Sequence, residues 1–385
     1  MKLVIVSTHP IQYQAPLFRE ISDRDGVELL VIFENKHGVI QAYDSGFQKN
    51  VKWDIPLLKG YESTFICEQK KSINRPRRFK KFYKLLENYN PDGILIHGWG
   101  SPLMMSAYLF ARKLGIPSLT RTDMWLLDQP DSPILQLVRK IGLRQLFNSI
   151  DLVSSVGIRN KNFYRHHGVP EKKIRFAPYS VDNQFFRERR SNLPTKRNLK
   201  ESEGIGRNKP VVLYVGKTLE IKQPDWLLNA FCRAVEPNEA TLIIVGSGPL
   251  DRELQKLSRT KYSQHDIRLP GFINQSELPT YYKMSDVFVL PSKRENWGLV
   301  INEAMNFSLP IITTEVVGAA PDLVDENNGY IVPPEDTSYL SEKIAHLVSN
   351  SSLREQFGET SYKRIDNWGI AQTASGIIDS VKKLD

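Results

Sequence analysis

Residues 286–324 read DVFVLPSKRENWGLVINEAMNFSLPIITTEVVGAAPDLV. The stretch opens on an unbroken apolar run, the pattern of a strand buried on both faces of a parallel sheet. A polar loop with Glu295 and Asn296 follows, then a helix that begins near Gly298 and carries Glu303. A second apolar run, 310–314, is the next strand. Strand, loop, helix and strand in that order form one βαβ unit, which sets the fold class. The helix start leaves the N–H groups of Gly298, Leu299 and Val300 without intrahelical acceptors. With the helix dipole, they read as a site for a pyrophosphate. Glu303 lies a turn inside the helix, where a carboxylate can accept hydrogen bonds from ribose hydroxyls. Glu295 precedes the helix, where sugar hydroxyls are natural partners.

The same alternation runs outward in both directions. Strands are expected at 210–216, 240–246, 266–270, 285–291 and 310–314, with helices near 223–235, 249–259, 276–283 and 299–308. The first half repeats the plan, with strands at 2–7, 27–33, 92–97, 117–121 and 151–156. Its helical patterns lie at about 13–23, 77–89, 101–114 and 132–148. The expected class is α/β, with two Rossmann-like domains facing a cleft. Residues 1–186 form the first domain and 209–368 the second. Residues 187–208, polar and rich in charge, read as a linker. A terminal helix is expected over 369–385, able to pack back on the first domain or on the second. Ligands of open α/β sheets bind beyond the carboxyl ends of the strands, so strand-end loops are where chemistry is sought.

Composition narrows the function. The chain of 385 residues is 41% hydrophobic and 25% charged, as in ordinary globular proteins. Its two cysteines, Cys67 and Cys232, have no metal-ligand spacing and imply no disulfide framework, so a cytoplasmic location is expected. The opening apolar run is too short for a signal peptide, and nothing approaches the roughly 18 apolar residues of a membrane span. Residues 1–190 hold 30 Lys and Arg against 18 Asp and Glu, while 191–385 hold 22 against 25. Net positive charge is thus confined to the first half. Residues 70–84, KKSINRPRRFKKFYK, and the segment 136–147 suit an anionic membrane surface. No nucleic-acid motif accompanies them, and no nucleic-acid partner is expected.

Glu295 and Glu303, with seven residues between them and VLPS, LPII and VGAAPDLV around them, resemble the E-x7-E signature of family 4 retaining glycosyltransferases. The family pattern covers most of 205–360. The resemblance implies the two-domain GT-B fold, with Glu295, Asn296, Trp297 and His97 at the donor sugar and Glu303 at the ribose. Lys217 and Lys222, in GKTLEIK after a strand, are similar to the family's paired cations. They imply a grip on the diphosphate together with Gly298, Leu299 and Val300. This chain has Lys217 where Arg is usual and Gln223 where Gly is usual. Val245-Gly246-Ser247-Gly248-Pro249 resembles a structural turn of the family, and Gly271, Phe272 and Ile273 resemble the stretch beside the base.

Glu295, His97 and Lys222 are therefore the candidate catalytic residues. The segment following the first strand lacks the frequent Gly-Gly loop and resembles a subgroup associated with bacterial surface polysaccharide synthesis. His9, Gln12, Arg121 and Asp123 are candidates for the cleft or the acceptor. His166 and His167 read as solvated. No metal-ligand pattern occurs, and neither a metal nor another cofactor is expected. The implied activity is retaining transfer from a nucleotide-sugar, a UDP-sugar by family frequency, to a saccharide or lipid-linked acceptor. Two alternatives stay open: a nucleotide-sugar 2-epimerase on the same fold, and a non-catalytic nucleotide-sugar-binding assembly partner.

Overall fold

In the computed structural model, which describes residues 1–67, 75–128 and 132–383, the β-branched runs become strands and the amphipathic stretches become helices. The chain divides into two compact units. One comprises Met1–Ala42, Ile55–Ser180 and Gly369–Asp385, the other Tyr43–Asp54 and Val181–Trp368.

The first unit is built on a seven-stranded sheet. Its order across the sheet is Glu62–Phe65, Glu28–Phe33, Lys2–Ser7, Gly93–His97, Ser118–Arg121, Leu152–Ser155 and Ile174–Phe176. All pairings are parallel, with Leu3 opposite Leu29 on one side and Gly93 on the other. Val4, Val6, Ile94 and Ile96 are sealed between the sheet and its helices, which is why these strands read as continuous apolar runs. The strand order reverses between Lys2–Ser7 and Gly93–His97, so the loops after those two strands flank this unit's switch point.

The second unit repeats the plan with six strands. The order is Asp266–Gly271, Thr241–Val245, Val211–Val215, Val287–Leu290, Ile311–Thr314 and Gly329–Val332, all parallel. Here the reversal falls between Val211–Val215 and Val287–Leu290. The loops that follow them contain Gly216–Lys222 and Pro291–Gly298 respectively.

Four expectations change. Residues 187–208 are not a free linker. Helices Asn183–Asn192 and Lys196–Ser202 occupy most of that stretch, capped by the side chains of Asp182 and Thr195. Two of their lysines are paired with one carboxylate. Lys200 is buried and donates to Asp286 Oδ2 at 2.6 Å, and Lys196 donates to Oδ1 at 3.0 Å. The second change is that residues 43–54, expected in the first domain, belong to the second unit. Third, three edge strands (Glu62–Phe65, Ile174–Phe176 and Gly329–Val332) are only three or four residues long, too short to stand out in the sequence. Fourth, His167 is buried and its Nδ1 lies 2.9 Å from the Phe163 carbonyl.

The terminal helix Ile370–Lys382 lies in the first unit. Its Thr373 hydroxyl bonds Ser180 at 2.7 Å, and its Val381 packs so closely on Gly93 that a Cβ there would sit 2.5 Å from Cγ1.

The basic stretch 70–84 is only partly covered, since 68–74 lie outside the described residues. In its described part, Phe82 is fully buried and Phe79 packs against the core, so these rings are structural rather than available to a lipid surface.

Candidate active site

Each unit presents a cluster at its switch point, and the second is the richer. Lys222 ends the short turn Glu220–Lys222, and the loop after Val287–Leu290 is tied to it. The backbone N–H groups of Lys293 and Arg294 both donate to the Ile221 carbonyl, at 2.9 and 3.3 Å. This lacing brings Lys222 Nζ to within 2.5 Å of Glu295 Oε2, with both side chains about four-fifths buried. Two residues 73 apart in sequence thus form one charged couple at the carboxyl ends of adjacent strands.

The E-N-W segment is held from its far side by the VGAA loop. Gly318 N donates to the Glu295 carbonyl and Ala319 N to the Trp297 carbonyl, each at 3.0 Å. A Cβ on Gly318 would lie 1.7 Å from the Asn296 carbonyl oxygen, so only glycine allows this approach. Trp297 is corrected here. Its indole is buried, donates to Asn302 Oδ1 at 3.0 Å and packs on Trp368 at 5.4 Å, so it props the loop from within instead of meeting a sugar. Glu295 and Asn296 remain partly exposed.

Gly298 takes φ +95° and begins the helix Leu299–Met305, with Leu299 and Val300 partly exposed at its start. Glu303 is buried and accepts from the Tyr282 hydroxyl at 2.7 Å. Burial pushes its pKa up from the ordinary 4.5 to about 7, against the pull of hydrogen bonds from Tyr282 and Gln275.

Lys217 lies on the loop after Val211–Val215, and its partner was not foreseen. Its Nζ donates to both oxygens of Asp44, at 2.9 and 3.2 Å, and sits 4.5 Å from the centre of the Phe47 ring. Asp251 secures the neighbouring G-x-G-P turn by accepting from Thr218, Ser247 and the Gly248 backbone, a structural role. Phe272 is contacted by Phe47, Trp53 and Lys49. Gly271 accepts from Gly246 N at 2.9 Å.

In the first unit, His97 ends its strand at the switch point. The residue beside it is Gln14, which the sequence reading passed over in favour of Gln12 and His9. The Ser7 hydroxyl donates to Gln14 Oε1 at 3.2 Å, which turns the amide nitrogen toward His97 Nδ1 at 3.4 Å. Nδ1 then accepts, and Nε2 carries the hydrogen. Nε2 has no hydrogen-bond partner among the described residues. Burial, helped by the Arg121 charge, lowers the His97 pKa to about 3, so the ring is neutral.

His9 instead bonds Thr8 at 3.0 Å and packs edge-on to His37. Gln12 is partly exposed. Arg121 is corrected as an acceptor contact. Its guanidinium is buried, donates to the Pro178 carbonyl at 2.8 Å and lies over Tyr179. Asp123 is partly exposed at the end of the same strand. Among the described residues, no three His, Cys, Asp or Glu side chains gather as metal ligands.

Residues 195–364 match the family model for glycosyl transferases group 1. The alpha-D-kanosaminyltransferase of Streptomyces kanamyceticus is 24% identical over 66% of this chain and 66% of its own length. The capsular polysaccharide biosynthesis glycosyltransferase CapM of Staphylococcus aureus is 29% identical over 50% of this chain and 48% of its own. The chain thus spans between about half and two thirds of these relatives. The structure of Anabaena HepE in complex with UDP is similar with a TM-score of 0.72 at 15% identity, covering 100% of both chains. That likeness shows the fold, two parallel-sheet α/β domains of the GT-B class. The matched segment contains Lys217, Lys222, Glu295 and Glu303, and over it the chain is similar to the group 1 glycosyl transferases.

Proposed function

We propose that the protein is a retaining glycosyltransferase that moves a sugar from a nucleotide diphosphate donor to a saccharide or lipid-linked saccharide acceptor in bacterial polysaccharide synthesis. The relatives named for sugar transfer and capsule biosynthesis support the class, and the UDP in HepE favours a UDP-sugar donor.

The observation that carries the reading is the Lys222–Glu295 couple at the switch point, with Glu303 eight residues on. As the bond from sugar to diphosphate breaks, negative charge grows on the leaving oxygens. Lys222 and Lys217 offset that charge, and the N–H groups of Gly298, Leu299 and Val300 add dipoles fixed before reaction. No metal ion is then required. Glu295 orients the sugar through its hydroxyls while its charge keeps Lys222 in place. Glu303 takes the ribose hydroxyls. The neutral His97 donates from Nε2 to a hydroxyl of the transferred sugar. Retention follows from departure and attack on the same face, with the leaving phosphate accepting the acceptor's proton.

A peripheral place on the cytoplasmic face of a membrane completes the proposal. No helix among the described residues is long and apolar enough to cross one. The helix Pro133–Asn148, however, is anchored by Leu143 and Phe147 while Ile134, Leu135, Leu137, Val138 and Ile141 are exposed, Ile134 to 74%. With Arg139, Lys140 and Arg144 on the same helix, this surface suits an anionic lipid leaflet carrying the acceptor.

The test is a thermal-shift screen with UDP-, GDP-, ADP- and CMP-sugars in the absence of metal. One nucleotide class should raise the melting temperature. Glu295→Ala should still bind that nucleotide and lose turnover. Turnover at the wild-type rate in that variant would overturn the assignment of the sugar site.

A further inference from the structure

The chain leaves the first unit at residue 43, contributes Tyr43–Asp54 to the second, and returns. Strands Ala42–Asp44 and Lys49–Val51 pair to make a hairpin. At its tip, the N–H groups of Gly46 and Phe47 donate to Asp44 Oδ1 at 2.8 and 3.1 Å. This Asx turn fixes the carboxylate by backbone alone. Lys217 completes the arrangement from the donor loop, with its ammonium on both Asp44 oxygens and over the Phe47 ring. The hairpin is fastened further along. Asn274 donates to the Lys52 carbonyl at 2.9 Å and Ser276 N to Asp54 at 3.2 Å, while Phe272 is flanked by Phe47 and Trp53. The groups it covers, Lys217 and Phe272, are those assigned to the diphosphate and the base.

A carboxylate and a phosphate ask the same thing of an ammonium group. A diphosphate approaching Lys217 meets a cation whose charge is already neutralised, and beside it a fixed negative charge. We infer that Asp44 competes with the donor diphosphate for Lys217, so that the hairpin must release this lysine when the donor binds. The inference rests on the reading of Lys217 as a diphosphate ligand.

Calorimetric titration of pyrophosphate and of UDP into the full chain tests it, with uridine as a phosphate-free control. Asp44→Asn retains an oxygen for the Asx turn and removes the charge. It should tighten pyrophosphate and UDP about twofold to fivefold, because a larger fraction of the protein has Lys217 free. Uridine should bind unchanged. Asp44→Ser, which also keeps a turn oxygen, should shift affinity in the same direction, which guards against a folding defect in either variant. Lys217→Ala should weaken pyrophosphate and UDP. If Lys217→Ala weakens them while the Asp44 variants bind no more tightly than wild type, Asp44 is no competitor and the diphosphate reading survives. If Lys217→Ala changes nothing, the diphosphate reading and the inference fall together.

Discussion

Replacing Glu303 by Gln probes the most perturbed carboxyl of the proposed donor site. Glu303 is 8% exposed and bonded to the Tyr282 hydroxyl, and burial raises its pKa from 4.5 to about 7. At about 1.4 kcal/mol per pKa unit, that gap corresponds to about 3 kcal/mol. The folded state holds the proton more tightly than the unfolded chain. The associated stability is therefore fully present below pH 4.5 and is lost as the pH rises through about 7. Gln keeps the shape and an acceptor for Tyr282 but cannot ionise. The variant and wild type should then differ little at pH 4.5, and the variant should be more stable by about 3 kcal/mol at pH 8. Urea unfolding of both proteins at the two pH values measures this difference, and subtraction removes the other titrating groups. A stability difference that does not change with pH would refute the reasoning, since Glu303 would then ionise in the fold as freely as in the open chain. The functional corollary is that ribose hydroxyls donating to the ionised carboxylate should expel its proton. Nucleotide binding near pH 7 should release protons from wild type and fewer from Glu303→Gln, measured by titration in buffers of different ionisation enthalpy.

Gly318→Ala should destabilise the second unit by about 3 kcal/mol, because its methyl would fall 1.7 Å from the Asn296 carbonyl oxygen. A melting temperature within a degree of wild type would show that the VGAA loop can move aside. Gln223 occupies φ +52° at the end of the lysine loop, where the family usually has Gly. Gln223→Gly should stay within about 1 kcal/mol of wild type, while Gln223→Val should lose about 1–2 kcal/mol, as urea midpoints would show. Changing Ile134, Leu137 and Ile141 to Ser should weaken sedimentation with anionic vesicles severalfold and leave nucleotide affinity unchanged, since these side chains lie exposed on a helix of the first unit. Equal co-sedimentation of variant and wild type would remove the lipid-surface proposal.

Sequence determined whatever is local or periodic. Buried parallel strands announce themselves as apolar runs such as VVLYV and VFVL, because both faces must be covered. Strand–loop–helix order then determined the fold class, and the Glu295–Glu303 spacing with its flanks carried the resemblance to a family, since a helix start and two carboxylates are encoded within a few residues. Side-chain facing is not local in this sense. Trp297 reads like a site residue and turns inward because Asn302 and Trp368 receive it, while Arg121 is drawn over the Tyr179 ring by two carbonyls from residues 177 and 178. Gln14 rather than Gln12 meets His97 because the first helical turn after the strand rotates it there. The charged stretch 187–208 looked like a linker because a lysine carries no mark in sequence of the aspartate, nearly ninety residues away, that will neutralise it. The attachment of Asp44 to Lys217, 173 residues apart, belongs to the same class. Only tertiary structure decides which charges lose their water, because burial and pairing depend on chain segments that meet in space.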